Sequence, residues 1–263
     1  MELSVMEKLE ADLKFFETLD NPVQVAWHKI LLLNGFSAES HWHEFGAICA
    51  AHPWFSEVKN PYHNAVHTAQ VMWCGSVLAP KRMLADNSHW FPKFMLALMF
   101  HDISHNGKSN SFKYQLEIIA GEIFEQHLNQ NPRLKHIWEV YFATEYGDWK
   151  EMIEFVKRLI LGTEVTTDVP QNIKDYEETE KHNLLQVLLV LAQEADVLPS
   201  ALPNVGKQNG ELLAQEWENP VMASDQGRLN FLNMIKFVSK SAKAMGIPEM
   251  IDEQKKELEK KLV

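Results

Sequence analysis

Apolar residues recur at every third or fourth position along most of this chain, through Leu9 to Phe16, Val23 to Leu33, Phe45 to Ala51, Ile118 to Leu128, Ile137 to Phe142 and Met152 to Leu161. That period places the apolar side chains on one face of a helix, whereas a half-buried strand would alternate them. Few segments show the β-branched alternation of strands, and breakers fall between the helical stretches at Asn60-Pro61, Asn131-Pro132, Gly162, Val169-Pro170 and Pro199 to Pro203. The pattern predicts an all-α, multi-helix bundle. With 263 residues, 46% of them hydrophobic, the chain can bury a large core. No repeat or Gly/Ser-rich linker divides it, so a single domain over residues 1–263 is the simplest organisation.

The formal charge of -11 argues against a nucleic-acid partner, because neutralising a polyanion takes clustered Lys and Arg. A small anionic substrate stays compatible with it if bound cations reverse the local field. Two cysteines, Cys49 and Cys74, give neither a disulfide framework nor a Cys-rich zinc pattern, and they read as core residues of a cytoplasmic protein. The N-terminus lacks the basic start and apolar run of a signal peptide. The most apolar runs, Phe94 to Phe100 and Leu184 to Ala192, fall short of the roughly 20 residues that span a bilayer, so no membrane partner is expected. The tail from Asp252 to Val263 is rich in Glu and Lys and suits a solvated terminal helix, with self-association into a homodimer as its alternative use.

Three segments carry chemistry. In Asn60-Pro61-Tyr62-His63-Asn64-Ala65-Val66-His67, two histidines stand four residues apart, a spacing that would put both on one helical face. The run Phe94 to Phe100 leads into His101-Asp102-Ile103-Ser104-His105 with the same spacing, and the run Leu184 to Ala192 leads into Glu194-Ala195-Asp196. Each fragment alone suits a cap or a hydrogen-bonded structural group. Together they offer the imidazoles and carboxylates that a divalent cation prefers, with Asp102 placed to bridge two ions.

These motifs, in this order, resemble the HD-domain superfamily and, within it, the class I cyclic nucleotide phosphodiesterases in a shortened, bacterial-type form. The first segment is similar to the family's first histidine motif and the second to its His-Asp motif. Asn106 to Phe112 continues the likeness, Leu161-Gly162-Thr163-Glu164 resembles a Thr-Asp segment, and Ala195-Asp196 resembles a late Ala-Asp. The resemblance implies a helical bundle enclosing two divalent ions, zinc with magnesium or manganese. His67, His101, Asp102 and Asp196 would hold the first ion and Asp102 would bridge to the second. His63 would be the general acid, with His105 and Glu117 supporting the second ion's water. Reaching Glu117 requires dropping about a dozen residues of the family pattern after Phe112, which leaves Glu122 as an alternative.

The chain departs from that pattern where the family reads a base. The family's glutamine, three residues before a late Phe, falls on Arg228 when Phe231 is aligned, and Gln226 substitutes only after a two-residue shift. Arg has donors only and cannot act as a switchable amide. It would bind an anion or a base's acceptor edge, or pair with Asp225 at the surface. Phe231 and Tyr62 complete the candidate substrate contacts, Phe231 as a stacking wall or as ordinary core. An Asn that would follow the late Ala-Asp is replaced by Val197-Leu198-Pro199-Ser200.

Two cations would acidify a shared water and neutralise charge on a phosphoryl transition state, while a histidine such as His63 protonates the leaving alkoxide. The expected activity is metal-dependent hydrolysis of a 3',5'-cyclic nucleotide to the 5'-monophosphate. Its alternatives are an HD-type phosphohydrolase acting on another nucleotide or phosphomonoester, and a catalytically silent nucleotide sensor.

Overall fold

The computed structural model describes residues 3–80, 90–103, 105–108, 110–165 and 184–262. The expected breaker at Val169-Pro170, and Ser104 and Ser109 within the motifs, lie outside these residues. Eleven helices of ten residues or more organise the described chain: α1 (Val5–Phe16), α2 (Pro22–Leu33), α3 (His41–Ala50), α4 (Ala65–Leu78), α5 (Phe91–Phe100), α6 (Gln115–Gln130), α7 (Trp149–Leu161), α8 (Leu184–Ala201), α9 (Pro203–Glu216), α10 (Asp225–Met234) and α11 (Ile247–Leu262). No strand occurs among the described residues, as the period of the sequence requires.

Local chemistry sets the helix starts. Ser4 and Glu7 form a reciprocal capping box on α1, Asp148 accepts from the first amides of α7, and Pro22 and Pro203 stand in the first turns of α2 and α9. One expectation changes. The stretch Ile137 to Phe142 is not plain α-helix, because Trp138–Phe142 is a π-helical turn that brings Trp138 and Phe142 against Trp42. The break expected at Pro199 to Pro203 falls at Leu202, between α8 and α9, with Pro199 inside the last turn of α8.

The buried apolar side chains form one continuous cluster. At its centre α4 packs against α2, α5 and α8. α5 is buried at nearly every position and α4 at most, so neither has a solvent face and neither is amphipathic. Gly75 lets α4 and α5 approach, since a Cβ there would overlap the Leu98 side chain. α8 has the length and apolarity of a membrane-crossing helix, but 61% of it is buried among the other helices. Glu10, buried on α1, accepts hydrogen bonds from the Asn204 and Val205 amides and so caps α9. Glu194, buried on α8, accepts from the Val238 and Ser239 amides and ties that loop to the core.

Between α3 and α6, the His127 and His52 rings meet at 5.0 Å beside Phe100. Burial and His52 hold His127 down at about 4, against a hydrogen bond to the Ile48 backbone that favours its charged form. The folded state therefore keeps a neutral ring that the unfolded chain would protonate below its ordinary value of 6.5. Stability from this site is complete above that pH and falls as the pH drops towards 4. Urea midpoints measured across this window should decline for the native protein, and His127→Phe should flatten the decline.

Candidate metal centre

Three core helices deliver the four donors. His67 lies in the first turn of α4, whose amides are capped by the Asn64 side chain. His101 and Asp102 follow directly on the last turn of α5, and Asp196 projects from α8. His67 Nε2 lies 3.2 Å from Asp102 Oδ2 and 3.5 Å from Asp196 Oδ1, and His101 Nε2 lies 3.1 and 3.2 Å from the same two oxygens. Both imidazoles are buried.

The histidine spacing works differently from the expected shared helical faces. α4 begins at Ala65, so His63 precedes the helix and only His67 is on it; α5 ends at Phe100, so His105 lies beyond it. Each motif straddles a helix end, and the two histidines of each pair serve different places.

The donor set fits a cation. His101 Nδ1 donates to Leu98 O at 2.7 Å, which turns Nε2 towards two carboxylates as the atom free to bind a cation in place of a proton. His101 Nε2 and Asp102 Oδ2 are buried and have no hydrogen-bond partner among the described residues. Lone pairs facing one another at these distances repel unless a positive charge lies between them. A tetrahedral zinc ion, about 2.0–2.1 Å from each ligand, separates its donors by about 3.3–3.4 Å, and the four nitrogen-oxygen separations bracket that value. Burial would lower both histidines, but Asp102 and Asp196 outweigh it and raise His67, and raise His101 well above its ordinary value. Asp102 is held well below the usual carboxylate range, since His101, His63 and His67 overcome the upward push of burial.

A second constellation adjoins the first. His63 Nδ1 lies 2.5 Å from Glu216 Oε1, while Glu216 Oε2 accepts from the Tyr62 and His63 amides at 2.8 and 2.9 Å. Burial pushes Glu216 up, but His63 and these amides bring it down to about 2. Sequence reasoning missed Glu216. Its one local signal is an acid in the last turn of α9, where the helix dipole disfavours negative charge and a partner is needed. Tyr62 packs against His67 at 4.5 Å, and its hydroxyl pairs with Ser200 Oγ at 2.9 Å.

The remaining candidates divide. Glu117 is half-buried, accepts from Asn110 Nδ2 at 3.1 Å, and is raised by burial and by the charges of Glu164 and Asp102; Glu122 is exposed. Of those two acids, Glu117 is the one in the field of Asp102. His105 stacks on His63 at 3.3 Å and stands 3.5 Å from Glu216 Oε1.

Arg228 is not turned towards the donors. Its guanidinium donates to Ser200 O, Ala201 O and Leu202 O at the end of α8 and to Gln254 Oε1 on α11. This differs from both the substrate contact and the surface pair with Asp225, because the α8 carbonyls need donors and a buried guanidinium supplies several. Burial lowers it to about 10, still charged near neutral pH. Gln226 is exposed and bonds Asn230. Phe231 is half-buried and, with Arg228, Leu213 and Met222, lines a cavity of about 250 Å³ that none of the four donors lines.

The architecture is a phosphodiesterase-type all-α fold. The chain superposes over 92% of its length on 85% of the solved chain in "Structure of LmjPDEB1 in complex with IBMX", with a TM-score of 0.61 and 14% sequence identity, a likeness of fold. A curated relative, the cGMP-specific 3',5'-cyclic phosphodiesterase gamma of Plasmodium yoelii, is 24% identical over 123 residues, taking in 43% of this chain and 16% of that protein. No family model matches the chain.

Metal analysis after dialysis should find tightly held zinc in the native protein, and His101→Ala or Asp196→Ala should lose it, since removing one donor of four leaves the others poorly compensated. Arg228→Met should lower stability by roughly 1–3 kcal/mol, read from the urea midpoint, by leaving buried carbonyls unpaired, with metal content unchanged.

Proposed function

We propose that the protein is a metal-dependent phosphodiesterase that opens a 3',5'-cyclic nucleotide to the 5'-monophosphate. The observation that carries this reading is the buried His101 nitrogen facing two half-buried carboxylates, with a carboxylate-held histidine beside it. His67, His101, Asp102 and Asp196 would hold the first divalent ion, with zinc suiting the imidazole and carboxylate donors. Asp102 would be shared with a second ion, magnesium or manganese, near Glu117. When bound, the ions supply Lewis-acid charge and an acidified water.

The chain's own groups supply the rest. Glu216 accepts from His63 Nδ1–H and so fixes the tautomer, leaving the other ring nitrogen to carry the transferable proton. His63 delivers that proton to the ribose O3' as its bond to phosphorus breaks, which spares the departure of a naked alkoxide. Tyr62 closes the wall beside His67. The likeness of fold to LmjPDEB1 and the local similarity to the Plasmodium yoelii enzyme support the same class of reaction.

The engagement of Arg228 with the end of α8 favours one second reading. With no free amide at that position, an HD-type phosphohydrolase could take another nucleotide or a phosphomonoester.

Protein loaded with zinc and magnesium or manganese, assayed on a panel of cyclic nucleotides and phosphomonoesters, decides between them. Cyclic diester hydrolysis is expected, and hydrolysis of monoesters alone would establish the second reading. His67→Ala and Asp102→Ala should abolish activity, while His63→Ala should lower kcat by about 10²–10⁴. Undiminished activity in either metal-ligand variant overturns the proposal.

A further inference from the structure

We propose that Trp217 and His105 form an aromatic clamp that sets the plane of the His63 imidazole, making both of them positioning residues for proton delivery. This rests on the reading of His63 as the proton donor.

His63 precedes α4, so no helical turn packs its ring. Glu216 grips it at Nδ1 alone, and an imidazole ring's torsion is broad and only loosely held by its own rotamer preference. Its plane must come from its neighbours. The His105 ring lies against it at 3.3 Å and 16°, and the Trp217 ring lies near-parallel to it at 6.5 Å and 26°. Trp217 and His105 make no ring contact with each other, so each meets His63 independently. Both separations allow contact between π systems, Trp217 in an offset arrangement.

The neighbours are themselves fixed. The Gly107 amide donates to His105 Nδ1 at 3.1 Å from a turn with Gly107 at φ 76°, and Asn60 Nδ2 donates to His105 O at 2.9 Å. Trp217 caps α9 directly after Glu216, with its amide bonded to Leu213 O. One helix end thus brings the carboxylate to the edge of the imidazole and a near-parallel indole beside it. The Trp217 indole nitrogen is buried with no hydrogen-bond partner among the described residues. Leaving that donor unpaired costs stability, so the ring's value lies in its face. With Nδ1 engaged and two near-parallel rings against the imidazole, the remaining nitrogen is aimed in one direction, and small errors of aim at a reacting centre are costly in rate.

The leaving group separates this role from a structural one. A ribose alkoxide needs a proton to depart, whereas the 4-nitrophenolate of bis(4-nitrophenyl) phosphate does not. In metal-loaded protein, Trp217→Leu should lower kcat on the 3',5'-cyclic nucleotide by about tenfold or more while KM stays within about twofold. The same variant should leave kcat on bis(4-nitrophenyl) phosphate within about twofold of native. Trp217→Phe, which keeps a ring face, should recover most of the loss, and His105→Phe should retain more kcat on the cyclic nucleotide than His105→Ala. Equal losses of Trp217→Leu on both substrates, a change confined to KM, or no difference between His105→Ala and His105→Phe overturns the clamp. His63→Ala tests the reading beneath it. If it slows both substrates equally, the clamp falls with that reading; if it is selective and Trp217→Leu is not, the clamp alone is wrong.

Discussion

The buried His101 Nε2 stands 3.1 and 3.2 Å from oxygens of Asp102 and Asp196, and two carboxylates converging on one imidazole nitrogen repel each other unless positive charge lies between them. Holding such a group together requires helices rigid enough to resist the repulsion and a cation to reverse it. The first requirement explains the most apolar parts of the chain. α4 and α5 are buried along most of their length, Gly75 draws them together, and α8 packs along α4, so the segments bearing His67, His101-Asp102 and Asp196 have little freedom to relax. The Leu98 carbonyl extends that control to the orientation of the His101 ring.

The elements around this core act on the site through helix ends. α9 is capped at its start by Glu10 of α1 and ends in Glu216, which meets His63 at its edge, and Trp217, whose indole lies near-parallel beside it. Arg228 gathers the last carbonyls of α8 and joins them to Gln254 on α11, so the C-terminal helices brace the helix that carries Asp196. An arginine at a position expected to face a substrate thereby becomes part of the frame. Backbone carbonyls at a helix terminus are strong acceptors that lack partners within the helix, and a half-buried guanidinium is the side chain best able to satisfy several at once.

Much of this was legible in the sequence. Periodicity alone gave the all-α class, because the hydrophobic effect writes the helical repeat directly into residue order. The donors were legible too, since His67, His101, Asp102 and Asp196 each adjoin an apolar run or a helix cap that fixes them locally. What periodicity could not give was where helices stop. His63 and His105 share the four-residue spacing of a helical face with His67 and His101, yet both lie off the helices, because the Asn64 cap and the end of α5 intervene. The π-helical turn at Trp138–Phe142 likewise depends on what packs against it.

Residue types and their order therefore determined the helical architecture through short-range patterns, and offered metal-type imidazoles and carboxylates from which the resemblance to a family singled out four. Only the tertiary structure decided that Glu216, 153 residues from His63, holds it, that His105 and Trp217 flank it, and that Arg228 turns away to the end of α8. Such pairings are made by helices meeting in space, and an isolated Glu, Trp or Arg on an amphipathic helix carries no local mark of the partner it will find.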